Sequence, residues 1–175
     1  VNFNLAAGEL PIANFEFIGI HNDADSTALS GTFTVANQAA ALEVNDTNVT
    51  TATFHGETSV RIESLDLALN NEVFFKETMS NQEVHIVNRS PGGTAVIEAP
   101  SISSEDYFAK AVGTSTANSS IVLGATAGNI VTMTMAQTDI TGITYGDTNG
   151  VISLSMPYLA LPTTAGNNGI SLAFT

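Results

Sequence analysis

Apolar and polar positions alternate with period two along most of this chain, the pattern of strands that bury one face. Over residues 13–20, Phe15 and Phe17 fall on one side with Asn14 and Glu16 on the other. Over 61–69, Leu65, Leu67 and Leu69 oppose Ser64, Asp66 and Ala68, and over 130–136, Val131, Met133 and Met135 oppose Ile130, Thr132 and Thr134. Turn chemistry separates these runs at intervals too short for crossover helices, which predicts antiparallel pairing in a sandwich or barrel. Ser90-Pro91-Gly92-Gly93 suits a type II turn with positive φ at Gly92, between strands over 83–88 and 94–98. Asn149-Gly150 suits a hairpin between 140–145 and 151–161. Pro157 lies inside that last run and, lacking an N–H, predicts an edge strand or a bulge.

One segment changes period. Residues 103–112 read as a short helix capped by Ser103, stapled by Ile102 against Tyr107, closed by Gly113 in the left-handed conformation, and apolar along Phe108 and Val112. The pattern weakens between His21 and Thr58, where short strands over 32–36, 40–44 and 50–55 are separated by turn-like Asn/Asp clusters. The predicted architecture is mainly β: two packed antiparallel sheets with one flanking helix.

At 175 residues the chain has the length of a single domain over 1–175. It starts at Val1 rather than Met, which leads us to expect either a processed chain or the carboxy-terminal part of a longer protein. There is no cysteine, so disulfide and thiol chemistry are excluded, and no apolar run has the length of a membrane span. Charge narrows the picture most. Seventeen acidic side chains face four basic ones, for a net charge of −13. Such a surface does not hold nucleic acid, because affinity for the phosphate backbone comes from Lys and Arg displacing counterions. It does suit a conduit past which a polyanion slides without being trapped.

No catalytic set is visible. His21, His55 and His85 stand alone in their segments and read as exposed strand-end histidines, not as zinc ligands. No GxSxG elbow is present, and the Glu63/Asp66 pair reads as a solvated face, not a hydrolase dyad. The loops around Asp23 and Asp147 lack the closing Glu of a calcium-binding EF-hand. Metals, cofactors and enzymatic activity are therefore not expected. A sugar-binding platform would want aromatic faces, and the chain has no Trp and three Tyr.

Several segments in order resemble the tail tube (major tail) proteins of long-tailed phages and prophages, in their carboxy-terminal portion. Residues 1–11 followed by Phe15-Glu16-Phe17-Ile18-Gly19 are similar to the opening stretch, 62–73 to a tube strand ending in a polar turn, and 84–93 with 96–100 to the next hairpin. Residues 106–111 are similar to the family helix, and 128–131 with 145–150 to the closing strands. The resemblance implies a structural subunit that forms rings with copies of itself, stacked into a tube in the virion tail after assembly in the bacterial cytoplasm. Other tail proteins would be partners, double-stranded DNA a passing cargo, and no membrane would be involved. Glu63, Asp66 and Glu83 are then candidates to line the lumen. The sparse segment 22–48, with Asn22, Asp23, Asp25, Asn45, Asp46 and Asn48, is the candidate subunit contact, ordering when it meets a neighbour. An extracellular carbohydrate-binding or adhesion sandwich and a tube protein of a contractile secretion system are the alternatives.

Overall fold

A computed structural model describes residues 1–20 and 40–175. Along the described chain run β1 (Asn2–Ala6), β2 (Ile12–Asn14), β3 (Val49–Thr53), β4 (Ile62–Ala68), β5 (Asn71–Glu77), β6 (Gln82–Arg89) and β7 (Gly92–Glu98). Helix α1 (Tyr107–Val112) follows, then β8 (Ala117–Leu123), β9 (Val131–Ile140), β10 (Thr144–Thr148), β11 (Val151–Leu161) and β12 (Ile170–Phe174). The chain is mainly β with antiparallel pairing, as the alternation predicts. Its layers are parts of one ten-stranded sheet, ordered β2-β1-β4-β7-β11-β9-β8-β3 with β10 beside β11 and β12 beside β9. A separate two-stranded ribbon is formed by β5 and β6.

The sheet curls so that alternate side chains of both halves meet. Leu65 and Leu67 of β4, Ala95 and Ile97 of β7, and Leu154, Met156 and Tyr158 of β11 share one core with Met133 and Met135 of β9 and Ile121 of β8. Long strands carry the chain round the bend: one edge of β11 pairs with β10 over Val151 to Ser155 and then with β9 over Tyr158 to Leu161. Pro157 sits at the handover. This corrects the expectation of an edge strand, because β11 is interior, with β7 on its other side. The Pro157 carbonyl accepts from Thr141 N–H at 2.9 Å, so the missing N–H points into the gap between β10 and β9, where no ladder bond is lost.

Other local expectations shift for physical reasons. The strand expected over 13–20 stops at Asn14, since its partner β1 begins at Asn2 and pairing ends with Asn2 opposite Asn14. Phe15 and Phe17 are consequently exposed, stacked on each other with centroids 6.2 Å apart. The Asn149-Gly150 turn is as expected, with φ of 54° and 87°. The Ser90–Gly93 stretch is not a hairpin turn: β6 and β7 belong to different sheets, and Gly92 does not adopt positive φ. Its glycines are required by close approach instead, since a Cβ at Gly93 would stand on the Asp66 carbonyl oxygen.

Helix α1 is shorter than expected. Ser101 takes up the preceding residues in a turn, its carbonyl accepting from Ser104 N–H at 2.9 Å, so the cap moves from Ser103 to Asp106, whose Oδ1 accepts from Ala109 N–H at 2.9 Å. Gly113 ends the helix in an extended conformation (φ −75°, ψ 176°), not the left-handed one. The buried face carries Tyr107, with Phe108 and Ala111 beside it, while Val112 and Ile102 are exposed. Tyr107 packs on Phe54, and Phe108 meets Tyr145 of β10 at 5.5 Å.

Candidate assembly surface

Two features of this fold present backbone and apolar side chains outward. The first is the ribbon. β4 and β7 pair as far as Ala68 opposite Gly92, and the chain between them leaves the body as an arm. Asn70, at φ 46°, pinches the base by donating from Nδ2 to the Ser90 carbonyl at 3.1 Å. At the tip, Thr78 N–H donates to the Asn81 carbonyl at 2.8 Å. Cross-strand pairs put Val73 opposite Ile86 and Phe75 opposite Val84 on one face, and Phe74 opposite His85 and Lys76 opposite Glu83 on the other. Among the described residues neither face is covered: Phe74 is 56% and Ile86 63% exposed, and every arm residue but Val73 and Val84 is exposed.

The second feature is the pair of sheet ends. Among the described residues β2 pairs only with β1 and β3 only with β8. Neither Ile12-Ala13-Asn14 nor Val49-Thr50-Thr51-Ala52-Thr53 carries a charge or a proline, two of the usual guards of a free edge; β2 is short, and the register of β3 shifts between Val49 and Thr51. Exposed Leu10, Ile12, Phe15, Phe17 and Ile18 extend the apolar surface beside β2. Between β1 and β2 on one side and β8, β9 and β12 on the other lies an apolar cleft of about 170 Å³, lined by Phe3, Leu5, Ile12, Leu123, Met133 and Phe174.

The carboxylates singled out from the sequence lie apart. On β4, Glu63 accepts from Thr148 Oγ1 at 2.8 Å, and Asp66, pointing away from buried Leu65 and Leu67, accepts from Asn4 Nδ2. Glu83 is out on the arm, 3.0 Å from His85 Nε2. Asn45 folds its own turn, Oδ1 accepting from Asn48 N–H at 2.9 Å, while Asn48 Nδ2 donates to the Glu43 carbonyl at 2.9 Å. Asp46 lies in that turn. Asn22, Asp23, Asp25, His21 and the strand expected over 32–36 fall outside the described residues, and 40–44 is not a strand. Sequence reading missed the company Glu63 keeps. Backbone bonds from Ala7 to Glu63, Gly8 to Val44 and Val44 to Glu9 gather Glu9, Glu43, Asp46 and Glu63 at one end of β4. Only long-range pairing brings them together, so no local pattern announced the group.

Inside the body most buried polar side chains are hydrogen-bonded, and the exception among the described residues is His55 Nδ1, which has no partner. His55 is buried, not exposed as expected: at φ 50° it starts the turn that joins Phe54 to Glu57, and its Nε2 donates to the Ser115 carbonyl at 3.2 Å. Ser119 Oγ accepts from His55 N–H at 2.9 Å and bonds Thr138 Oγ1 at 3.0 Å. Lys110 reaches Glu57 at 3.2 Å and also Glu105. Its hydrogen bond and charge hold the Glu57 carboxyl below the usual range. Burial pushes the phenols of Tyr107 and Tyr158 up, and Tyr158 donates to the Asp66 carbonyl at 2.7 Å. Among the described residues no three His, Asp or Glu side chains gather as metal ligands. No protein-family model matches this chain, and no curated protein matches it.

Proposed function

We propose that this chain is a structural subunit of a phage or prophage tail tube, whose copies join into stacked rings around an acidic lumen for DNA passage. The observation that carries the reading is the open ten-stranded sheet, whose two end strands are uncharged and have one neighbour each among the described residues. A free edge of this kind is a liability in a monomer, and joining β2 of one copy to β3 of the next satisfies both in a heterologous contact that closes as a ring. The net charge of −13 supports the conduit, since DNA finds few cationic footholds on such a wall. Glu63 and Asp66 on β4 are the proposed lumen carboxylates within the body, and Glu83 on the arm the third. The turn holding Asn45, Asp46 and Asn48 leads directly into β3 and so belongs to the proposed ring contact.

Electron microscopy of the purified protein at high concentration tests the reading. Rings or tubes are expected, together with no retention of duplex DNA at physiological salt. A strictly monomeric protein, or tight salt-sensitive duplex capture, overturns it. A second reading is favoured by the exposed stack of Phe15 and Phe17, an aromatic platform on which a sugar could lie. Glycan-array binding lost in Phe17→Ser, from a protein that forms no rings, would establish an adhesion module instead.

A further inference from the structure

The outer edge of β5 complements itself. Outward from Phe74 the strand meets Val73 and Phe75, then Glu72 and Lys76, then Asn71 and Glu77. Two copies of β5 laid antiparallel about a two-fold axis at Phe74 therefore set Phe74 against its counterpart, Val73 against Phe75 twice, and Glu72 against Lys76 twice. Opposed residues in this register share parity, so the backbone groups that point outward from one copy meet those of the other. We propose that the chain pairs with a second copy of itself through β5, forming a four-stranded β6-β5-β5-β6 sheet.

Other registers lose this match. A shift of two residues sets Lys76 against Phe74 or Asn70, and pairing centred on Lys76 sets it against itself. The other ribbon edge offers Glu83 against Arg89 around Ile86, but the irregularity that opposes Glu72 to Asn88 and Val73 to Ile86 leaves Val87 as an extra residue there and breaks the alternation. β5 itself is unbulged.

Charge favours the arm over the rest of the surface. With a net −13, most faces repel a second copy, yet the arm holds Lys76 and Arg89, two of the four basic residues, against Glu72, Glu77 and Glu83. In the proposed sheet each Lys76 lies between Glu83 of its own β6 and Glu72 of the other copy. On the opposite face Val73, Phe75, Val84 and Ile86 of both copies merge into one apolar surface. A lone two-stranded ribbon is marginal in water, whereas four strands with an apolar face are not. The contact is independent of the ring reading, which uses β2 and β3, and either holds without the other.

Sedimentation across a concentration series is expected to show a monomer–dimer equilibrium for the intact chain. Glu72→Lys and Lys76→Glu each turn two attractions into two repulsions and should weaken the dimer about tenfold or more, while the double exchange restores it. The chain has no cysteine, so Phe74→Cys places a single thiol on the two-fold axis. Antiparallel partners lie about 4.5 to 5.5 Å apart at Cα, within disulfide reach, and oxidation should give a linked dimer. Ser80→Cys at the arm tip should not. All these side chains are exposed, and unchanged circular dichroism verifies the fold. A chain that stays monomeric, charge reversals without effect, or equal cross-linking at positions 74 and 80 overturns the proposal. Rings that form regardless of the charge variants would leave the tube reading standing without it; a dimer that obeys the charge exchange but never forms rings would do the reverse.

Discussion

The curled body and the β5–β6 arm are written in the same alternating code, and only one of them is covered. In β4, Leu65 and Leu67 are almost wholly buried, while Phe75 and Ile86, which share a ribbon face with Val73 and Val84, are 42% and 63% exposed. Periodicity tells which side chains share a face. It does not tell whether another layer lies over that face. In the body, β8, β9 and the turn at Phe54 supply that layer; among the described residues none covers the arm, whose order then rests on the ribbon itself or on a second chain.

Body and arm should differ most in response where two body strands touch without side chains between them. Gly93→Ala drives a methyl group into the Asp66 carbonyl oxygen, and relief requires parting β4 from β7 at the arm's root. We expect a cost of about 5 kcal/mol, comparable to the whole stability of a small domain, seen as loss of the cooperative thermal transition. Gly128→Ala is the control. Its surroundings are open, and its φ of 87° makes the strain about 1 to 2 kcal/mol.

Next comes the core face itself. Leu67→Ala deletes a fully buried side chain from the shared core and should lower the unfolding free energy by about 3 kcal/mol in urea, with an unchanged slope. A value under about 1 kcal/mol would mean that the two halves of the sheet do not share a packed interior.

Much of this body was legible in the sequence. The strands around Leu65 and Met133, the Asn149-Gly150 hairpin and the presence of a single helix followed from alternation and turn chemistry, which are local. What failed depended on distant partners. Phe15 and Phe17 alternate well, but β1 is too short to pair beyond Asn14. Pro157 reads as an edge residue, yet sits centrally because two strands change places opposite it. Ser90-Pro91-Gly92-Gly93 reads as a hairpin turn, although it returns the chain from the arm to the body. Alternation places Glu63, Asp66 and Glu83 on strand faces, and they lie on β4 and β6; their separation onto the body and the arm was not legible, since it follows from which strands join which sheet.

A smaller effect probes the charged seam that fastens α1 to the body. Lys110 binds Glu57 and Glu105, and Glu57 titrates below its ordinary 4.5. A carboxyl whose folded pKa is depressed stabilises the fold above its unfolded pKa, and that contribution fades as pH falls through the folded value. Thermal midpoints should therefore drop as pH is lowered below about 4.5, and Lys110→Met should flatten this part of the profile. Glu57 is 43% exposed, so water and salt screen the pair, and the change at neutral pH should be slight. A profile identical in the variant would mean that the ion pair contributes nothing in solution.

The smallest effect belongs to the arm, and its smallness is informative. Phe75→Ala removes a side chain larger than the one lost in Leu67→Ala, yet in dilute monomer it should change the global unfolding free energy by no more than about 0.5 kcal/mol, because Phe75, 42% exposed, packs only within the ribbon, whose contacts are lost in local opening before the body unfolds. Amides of β5 and β6 should exchange far faster than those of β9 and β11 under the same conditions, reporting a local opening free energy well below the global one. Raising the protein concentration separates two sources of order. If a second chain covers the arm, β5 amides gain protection with concentration and Phe75→Ala erases the gain; arm amides as protected as the core in dilute monomer would place the arm energetically within the body, despite its exposure.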